Sequence, residues 1–508
     1  MAQAVIAPPD VSPRISARSW LALMGGAMGT STYMTALTIT GTAIPHMQGA
    51  FSAAPDQIAW LLTAFIVGTT IMTACSGWIS GRFGLRRFFL IASGGFAVTT
   101  VLCGLSSSLI EAVIFRVMQG MFGAPLLPLG QAIAMNAFPS NRQGLATAMW
   151  MAFGNVGSIF GPFVGGVLVE NYGWPWVFFV TVPLSLIAFA ATWLFVFDTE
   201  RAEPTKFDWI GFGLLSVTIA ALETMLSRGE RLLWFDSPEI VAEAAIAALA
   251  FYLFAIRITS ARAPFVPSAL FLNRNYVIGS AFYFVHGAVV FLPLFLLPLQ
   301  LQSLAGYDIM GVGELLTCRG LGFLAGALLV SRLSDRVDPR LILVLGFGCT
   351  AVSTWGMSSW TLEVRAFDVI WAGFINGASS SIAYVPLTVI AFWTLPGRYR
   401  TQGLGFFYVV SFLGTATGTA IIFNVLTRSM RINHDVLAER LTPYNELFNY
   451  AFVPRLWSWS HQGGVAAFDA EIMRQSMMIA YNNSFYLIAL TAIVVLPLIV
   501  FIRLPPRR

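Results

Sequence analysis

Arg116, His286, Glu314 and Arg319 lie inside stretches otherwise too apolar to hold a charge. An ionisable side chain near a bilayer centre costs about 2.5–3.5 kcal/mol on insertion scales, so such groups usually face a cavity or a partner. The chemistry they suit is the binding and release of protons or anions. Arg116 sits about two helical turns into its span, either facing such a cavity or snorkelling to the outer surface. Glu314 and Arg319 are five residues apart, roughly 140° around a helix, and need not pair. Glu314 is the best-placed acid in the second half of the chain to carry a proton. The alternative is a glutamate in water at the outer end of its helix. His286 stands alone, as a hydrogen-bonded packing residue or a proton carrier. Glu223 and Glu243, near outer helix ends, are expected to be solvated.

Composition sets the elements that position these groups. Of 508 residues, 57% are hydrophobic and 10% charged, so most of the surface must face lipid. The net charge of +5 does not point to nucleic acid, because the basic residues lie between spans rather than in one patch. Fourteen stretches are long enough to cross a bilayer, near 19–43, 57–80, 88–105, 109–136, 144–169, 175–197, 209–227, 238–257, 276–302, 309–331, 341–360, 366–392, 403–426 and 482–502. An even count puts both termini on one side. Lys and Arg then choose it: nineteen fall in segments sharing the side of the termini, against Arg228, Arg231 and Arg365 in short opposite loops. Both termini are therefore read as cytoplasmic. Residues 427–481 form a long outer loop in this reading, with a short amphipathic helix before the last span and Trp457 and Trp459 as interfacial anchors.

The spans repeat. A shift of 254 residues aligns Arg82 with Arg336 and Arg86 with Arg340, and a shift of 257 aligns Gln119-Gly120 with Asn376-Gly377 and Gly157 and Gly161 with Gly414 and Gly418. Two parallel six-span halves follow, with two spans inserted between them and a cavity expected at the repeat interface. The domains are a tail at 1–18, a six-helix bundle at 19–197, the inserted pair with its loops at 198–274, a second bundle at 275–503 and a tail at 504–508.

Gly157, Gly161 and Gly165 put a flat strip on one helix face, against which another helix can pack closely. Pro162 removes a backbone donor beside it and Gly166 follows. Thr419, Ile422 and Phe423 replace Pro162, Gly165 and Gly166 in the second half, so the strip reads as an asymmetric hinge rather than a packing feature shared by both repeats.

This G-xxx-GP-xx-GG pattern resembles the fifth-span motif of major facilitator drug exporters. Three other segments extend the resemblance: Gly77, Arg82, Gly84 and Arg86 after span 2, Arg116 with Gln119 and Gly120 in span 4, and Trp174 to Pro183 entering span 6. Asp335, Arg336 and Arg340 after span 10 form the second-half counterpart of the span 2 loop. Over nearly its whole length the chain resembles the 14-span drug:proton antiporter branch of the major facilitator superfamily, of the EmrB/QacA type. The resemblance implies an all-α membrane protein of two six-helix bundles plus two extra helices, in a bacterial inner membrane. It implies efflux of hydrophobic or amphipathic compounds by alternating access, and a periplasmic adaptor protein and outer-membrane channel as partners. Arg116 would relay protons or bind anionic groups, and Arg319 falls where this branch often has an arginine. The chain departs from the family where Ala36 and Gly81 replace usual acids.

Rival functions are an exporter of a metabolite or siderophore, with or without proton coupling, and a membrane sensor or scaffold on a transporter fold. There is no H-E-x-x-H, no G-x-S-x-G and no Walker loop, and the four cysteines lack metal-ligand spacing. The expectation is a non-enzyme with no metal and no cofactor, driven by the proton gradient.

Overall fold

The computed structural model describes residues 15–502 apart from 54, 59, 140–141, 198–206, 262–263, 335–336, 397–398 and 440–461. The described residues form helices and connecting turns, with no strand. Fourteen rods follow in chain order: α1 (Ala17–Ala50), α2 (Trp60–Phe83), α3 (Leu85–Gly104), α4 (Leu109–Ala137), α5 (Gln143–Tyr172), α6 (Trp176–Phe195) and α7 (Trp209–Arg228). The second seven are α8 (Pro238–Ser260), α9 (Arg274–Ser303), α10 (Ile309–Leu333), α11 (Pro339–Met357), α12 (Ala366–Trp393), α13 (Arg400–Glu439) and α14 (Gln462–Val494). Thirteen of them are long and apolar enough to cross a membrane.

The remaining rod, α1, is rich in Gly, Ser and Thr and packs on α4, α5 and α6. Its hydroxyls are folded back onto its own carbonyls: Thr32 onto Met28, Thr35 onto Ser31 and Thr40 onto Ala36, each at 2.8 Å. Each hydroxyl donor is satisfied locally, so the polar sequence survives burial.

Packing repeats between the halves. α1 lies on α4 and α5 as α9 lies on α12 and α13, and α2 packs on α4 as α10 packs on α12. The halves meet along two seams, α2 against α13 and α5 against α10. The inserted α7 and α8 pair with each other, and α7 also packs on α2 and α13.

Two expectations change. The described residues of 427–481 are helix: α13 continues to Glu439 and α14 begins at Gln462, so both run beyond their apolar cores. Phe468, Ile472 and Met473 lie on α14 itself rather than on a separate short helix. Trp457 and Trp459 fall outside the described residues. Pro162 does not interrupt α5. Helix runs unbroken from Val156 to Tyr172, and the interruption is at Asn155 (φ −91°, ψ 0°).

Candidate functional site

Arg116 is fully buried. Its Nη1 donates to Gln119 Oε1 at 2.7 Å and its Nε to the Leu61 carbonyl at 3.1 Å. The guanidinium lies 4.2 Å from the centroid of Phe65, a cation–π distance. Gln119 Nε2 passes the network to Thr100 Oγ1 at 2.7 Å. Arg116 therefore does not snorkel: its apolar stem and charged head both stay inside the bundle. Its Nη2 has no partner.

The second half builds a related network. Arg319 Nε donates to Asn376 Oδ1 at 2.9 Å, and its Nη2 donates to the Val290 carbonyl at 3.3 Å. Asn376 Nδ2 reaches Ser353 Oγ at 3.5 Å. Gly120 and Gly377 let the helices close in each half, since a Cβ at Gly120 would meet the Phe65 carbonyl and one at Gly377 the Arg319 carbonyl. Glu314 takes no part in this. It is exposed, a little over one turn into α10, on the face that carries exposed Leu321 and Leu328.

His286 is buried among Tyr283, Phe291 and Tyr384. Its Nε2 lies 3.2 Å from the Ser380 carbonyl, which can only accept, so Nε2 carries the proton. Nδ1 is left without a partner.

Sequence reasoning missed a buried group that joins the two halves. Gln131 of α4 is fully buried, and its Oε1 lies 2.9 Å from the hydroxyls of both Tyr384 on α12 and Tyr408 on α13. Those hydroxyls are 2.6 Å apart. Two hydroxyl protons serve three contacts, so one contact is always short of a proton. Gln131 Nε2 is an unpartnered donor. Tyr283 stacks on Phe407 at 4.2 Å and forms an aromatic wall beside the tyrosine pair. A second glutamine in an apolar span was the available signal; its partners, more than 250 residues away, left none.

Glu223 corrects the sequence expectation. It is 4% exposed rather than solvated, and its Oε1 accepts from Thr70 Oγ1 of α2 at 2.8 Å. Glu243 is part-buried and pairs with Arg228 at 3.6 Å.

The glycine strip packs on α1. Gly157 N–H donates to Ser31 Oγ at 3.0 Å, Gly161 faces Thr38, and Gly165 faces Thr42 and Ile39. Gly166 is half-buried. The second half has the same kind of seam: Gly414 and Gly418 face the Phe284 and Ala288 carbonyls of α9. The close approach is thus common to both repeats, contrary to the sequence reading, and only Pro162 and the extra glycines are peculiar to the first.

At the loops, Gly84 takes φ +91°, a turn that favours glycine, and α3 starts from it. Gly77 is buried near Gly405 of α13, and Arg82 is exposed beside Trp78. Arg86 Nη2 donates to the Trp193 carbonyl at 2.6 Å, and Arg340 donates to the Ile502 carbonyl. Each arginine ties the third helix of its half to the end of the sixth. These contacts stay within one half and do not bridge the two. Asp335 and Arg336 lie outside the described residues.

A family model described as Major Facilitator Superfamily matches residues 26–419. The chain belongs to this superfamily. Members of the Major Facilitator Superfamily are transporters rather than enzymes, and this one is a multi-pass membrane protein. Among its superfamily relatives, it is similar to the multidrug export protein EmrB of Escherichia coli, with 30% identity over 96% of each chain. It is also similar to the fatty acid resistance protein FarB of Neisseria gonorrhoeae, with 29% identity over 97% of each. The crystal structure of an auto-inhibited POT family peptide transporter shares the major facilitator fold at TM-score 0.59 and 14% identity, covering 94% of this chain and 96% of that one.

Proposed function

We propose that this protein exports hydrophobic and amphipathic compounds, drugs among them, from the bacterial cytoplasm across the inner membrane in exchange for protons. The observation that carries the reading is Gln131 held between Tyr384 and Tyr408 where the halves meet. Its polar atoms come from both halves, it is walled by aromatic rings, and it keeps a free amide donor. Such a site suits an apolar substrate with one hydrogen-bond acceptor. The halves rock about it, opening the α2–α13 and α5–α10 seams in turn. The printed names of the full-length relatives, a multidrug export protein and a fatty acid resistance protein, support export of such compounds.

No cofactor is needed in this scheme, because the proton gradient supplies the driving force. The arginine distribution supports cytoplasmic termini. The outer extensions of α13 and α14 offer a docking surface for a periplasmic adaptor that leads to an outer-membrane channel.

Accumulation of ethidium and of oleate in cells with and without the protein, each with and without a proton uncoupler, tests the reading. Lower accumulation that the uncoupler abolishes is the expected result. Equal accumulation at normal expression overturns it.

A further inference from the structure

Glu223 belongs to α7, one of the two helices inserted between the halves. It sits about one and a half turns below the outer end of that helix, yet it is 4% exposed. Thr70 supplies its single hydrogen bond, to Oε1, and Thr70 is itself shared with the Ile66 carbonyl at 2.9 Å. The second oxygen, Oε2, is buried with no partner. A carboxylate in this position has one oxygen with no donor in a medium that solvates charge poorly. The neutral acid lacks that defect. The site thus holds a carboxyl group able to change charge, with one oxygen free to take the proton.

Its surroundings connect it to the moving parts. The Tyr33 phenol of α1 lies beside Thr69 of α2, the neighbour of Thr70 in the chain. Tyr33 stacks on Phe65, the ring that also carries the Arg116 guanidinium. Other charged groups around α7 are paired toward its ends. Arg228 binds Glu239 and Glu243 of α8, Glu230 binds Arg431 of α13, and Asp208 binds Arg257 of α8. Glu230 also accepts from Asn424 of α13 at 2.8 Å. α7 therefore touches both α2 and α13, the two helices of one inter-half seam. A charge change at Glu223 alters the cost of keeping that seam closed.

We propose that Glu223 is the proton-carrying site of this transporter, held between the inserted α7 and α2. One proton adds to Oε2 to give the neutral acid while the seam is closed. It leaves again, restoring the carboxylate, when the seam admits water. The inserted pair is then part of the coupling machinery rather than a passive addition. The idea rests on the proton-exchange reading above.

The test uses the full-length protein in liposomes, with ethidium and oleate as probes. Two measurements are made: accumulation driven by an imposed pH gradient, and counterflow exchange with no gradient. The wild type is expected to do both. Glu223→Gln keeps the shape and loses the titratable group; it should retain counterflow and lose gradient-driven transport by about tenfold or more. Glu223→Asp should retain part of the driven transport. A Glu223→Gln protein that responds to the gradient like the wild type overturns the assignment and leaves the antiport reading intact. Loss of counterflow together with driven transport makes Glu223 a structural residue and also overturns it. A wild type that exchanges either probe but ignores the gradient removes proton exchange itself, and the assignment with it. A wild type that moves neither probe in either measurement removes the export reading and everything resting on it.

Discussion

Arg116 and Arg319 stand on opposite walls of the same repeated helix seam. Arg116 projects from α4 over Phe65 of α2. In the second half the residue 254 positions after Phe65 is Arg319 itself, and the residue 257 positions after Arg116 is Gly373. A Cβ at Gly373 would lie 3.8 Å from that of Arg319. The charge has crossed the seam, and each guanidinium still finds the amide of the Gln119 or Asn376 position. The exchange of walls explains why the two arginines do not align in sequence although their networks correspond.

Arg116→Lys is expected to fail where its charge alone would predict success. The guanidinium bonds a side-chain amide and a backbone carbonyl from a fixed fork, which an ammonium cannot copy. A loss of roughly 1–3 kcal/mol in stability is expected, with Gln119 left short of a donor. Thermal unfolding in detergent, together with ethidium efflux, measures both effects. A lysine variant as stable and active as the wild type would contradict this account.

The glycine seams should differ in tolerance. At Gly161 a new methyl meets the Thr38 hydroxyl, which can rotate away. At Gly414 it meets the Phe284 backbone, which cannot. Gly161→Ala also gains helix propensity of up to about 1 kcal/mol, so it should be near neutral. Gly414→Ala should destabilise clearly, by about 1–3 kcal/mol as overpacking typically does. Melting temperatures of the two variants decide the matter, and the reverse ranking would show that the seam relaxes.

Tyr408→Phe removes one hydroxyl from a group in which two protons serve three contacts. The surviving Tyr384–Gln131 bond keeps its proton, so the stability cost should stay near 1 kcal/mol or less. Gln131→Leu instead strips the tyrosine pair of its shared amide acceptor and the site of its amide donor. It should impair export of substrates with a polar acceptor more than export of purely apolar ones. Efflux measured across a substrate series separates the two variants.

Asp208 governs an acid-dependent contact at the N-terminal end of α7. Burial pushes its carboxyl up, but the bond and charge of Arg257 and the amides of Gly211 and Phe265 outweigh burial and hold it below the usual carboxylate range. A depressed carboxyl stabilises the fold above its unfolded pKa of about 3.9 and loses that contribution as pH falls through the lower folded value. Asp208→Asn should cost about 1–3 kcal/mol at neutral pH and little at pH 2, where the wild type has lost the advantage too. Unfolding followed from pH 7 down to pH 2 checks the convergence of the two proteins.

Much of the architecture was legible because lipid imposes simple rules. A span of about 20 residues must satisfy its own backbone, so length and apolarity mark it. The repeat emerged from Gly and Arg spacings. Reasoning from charge went astray at Glu223, because linear distance from a helix end does not tell which neighbour covers a side chain. It also went astray at 427–439 and 462–481, where α13 and α14 continue as helix although their sequence turns polar.

The sequence by itself determined the membrane class, the two six-helix halves, the inserted pair and the glycines that permit close seams, since each follows from local composition or a short spacing. Tertiary structure alone decided which polar groups are enclosed and with whom. Gln131 meets Tyr384 and Tyr408, and Glu223 meets Thr70, only through packing between distant helices. A polar side chain's worth inside a membrane depends on its partner, and no periodicity within one helix encodes a partner on another.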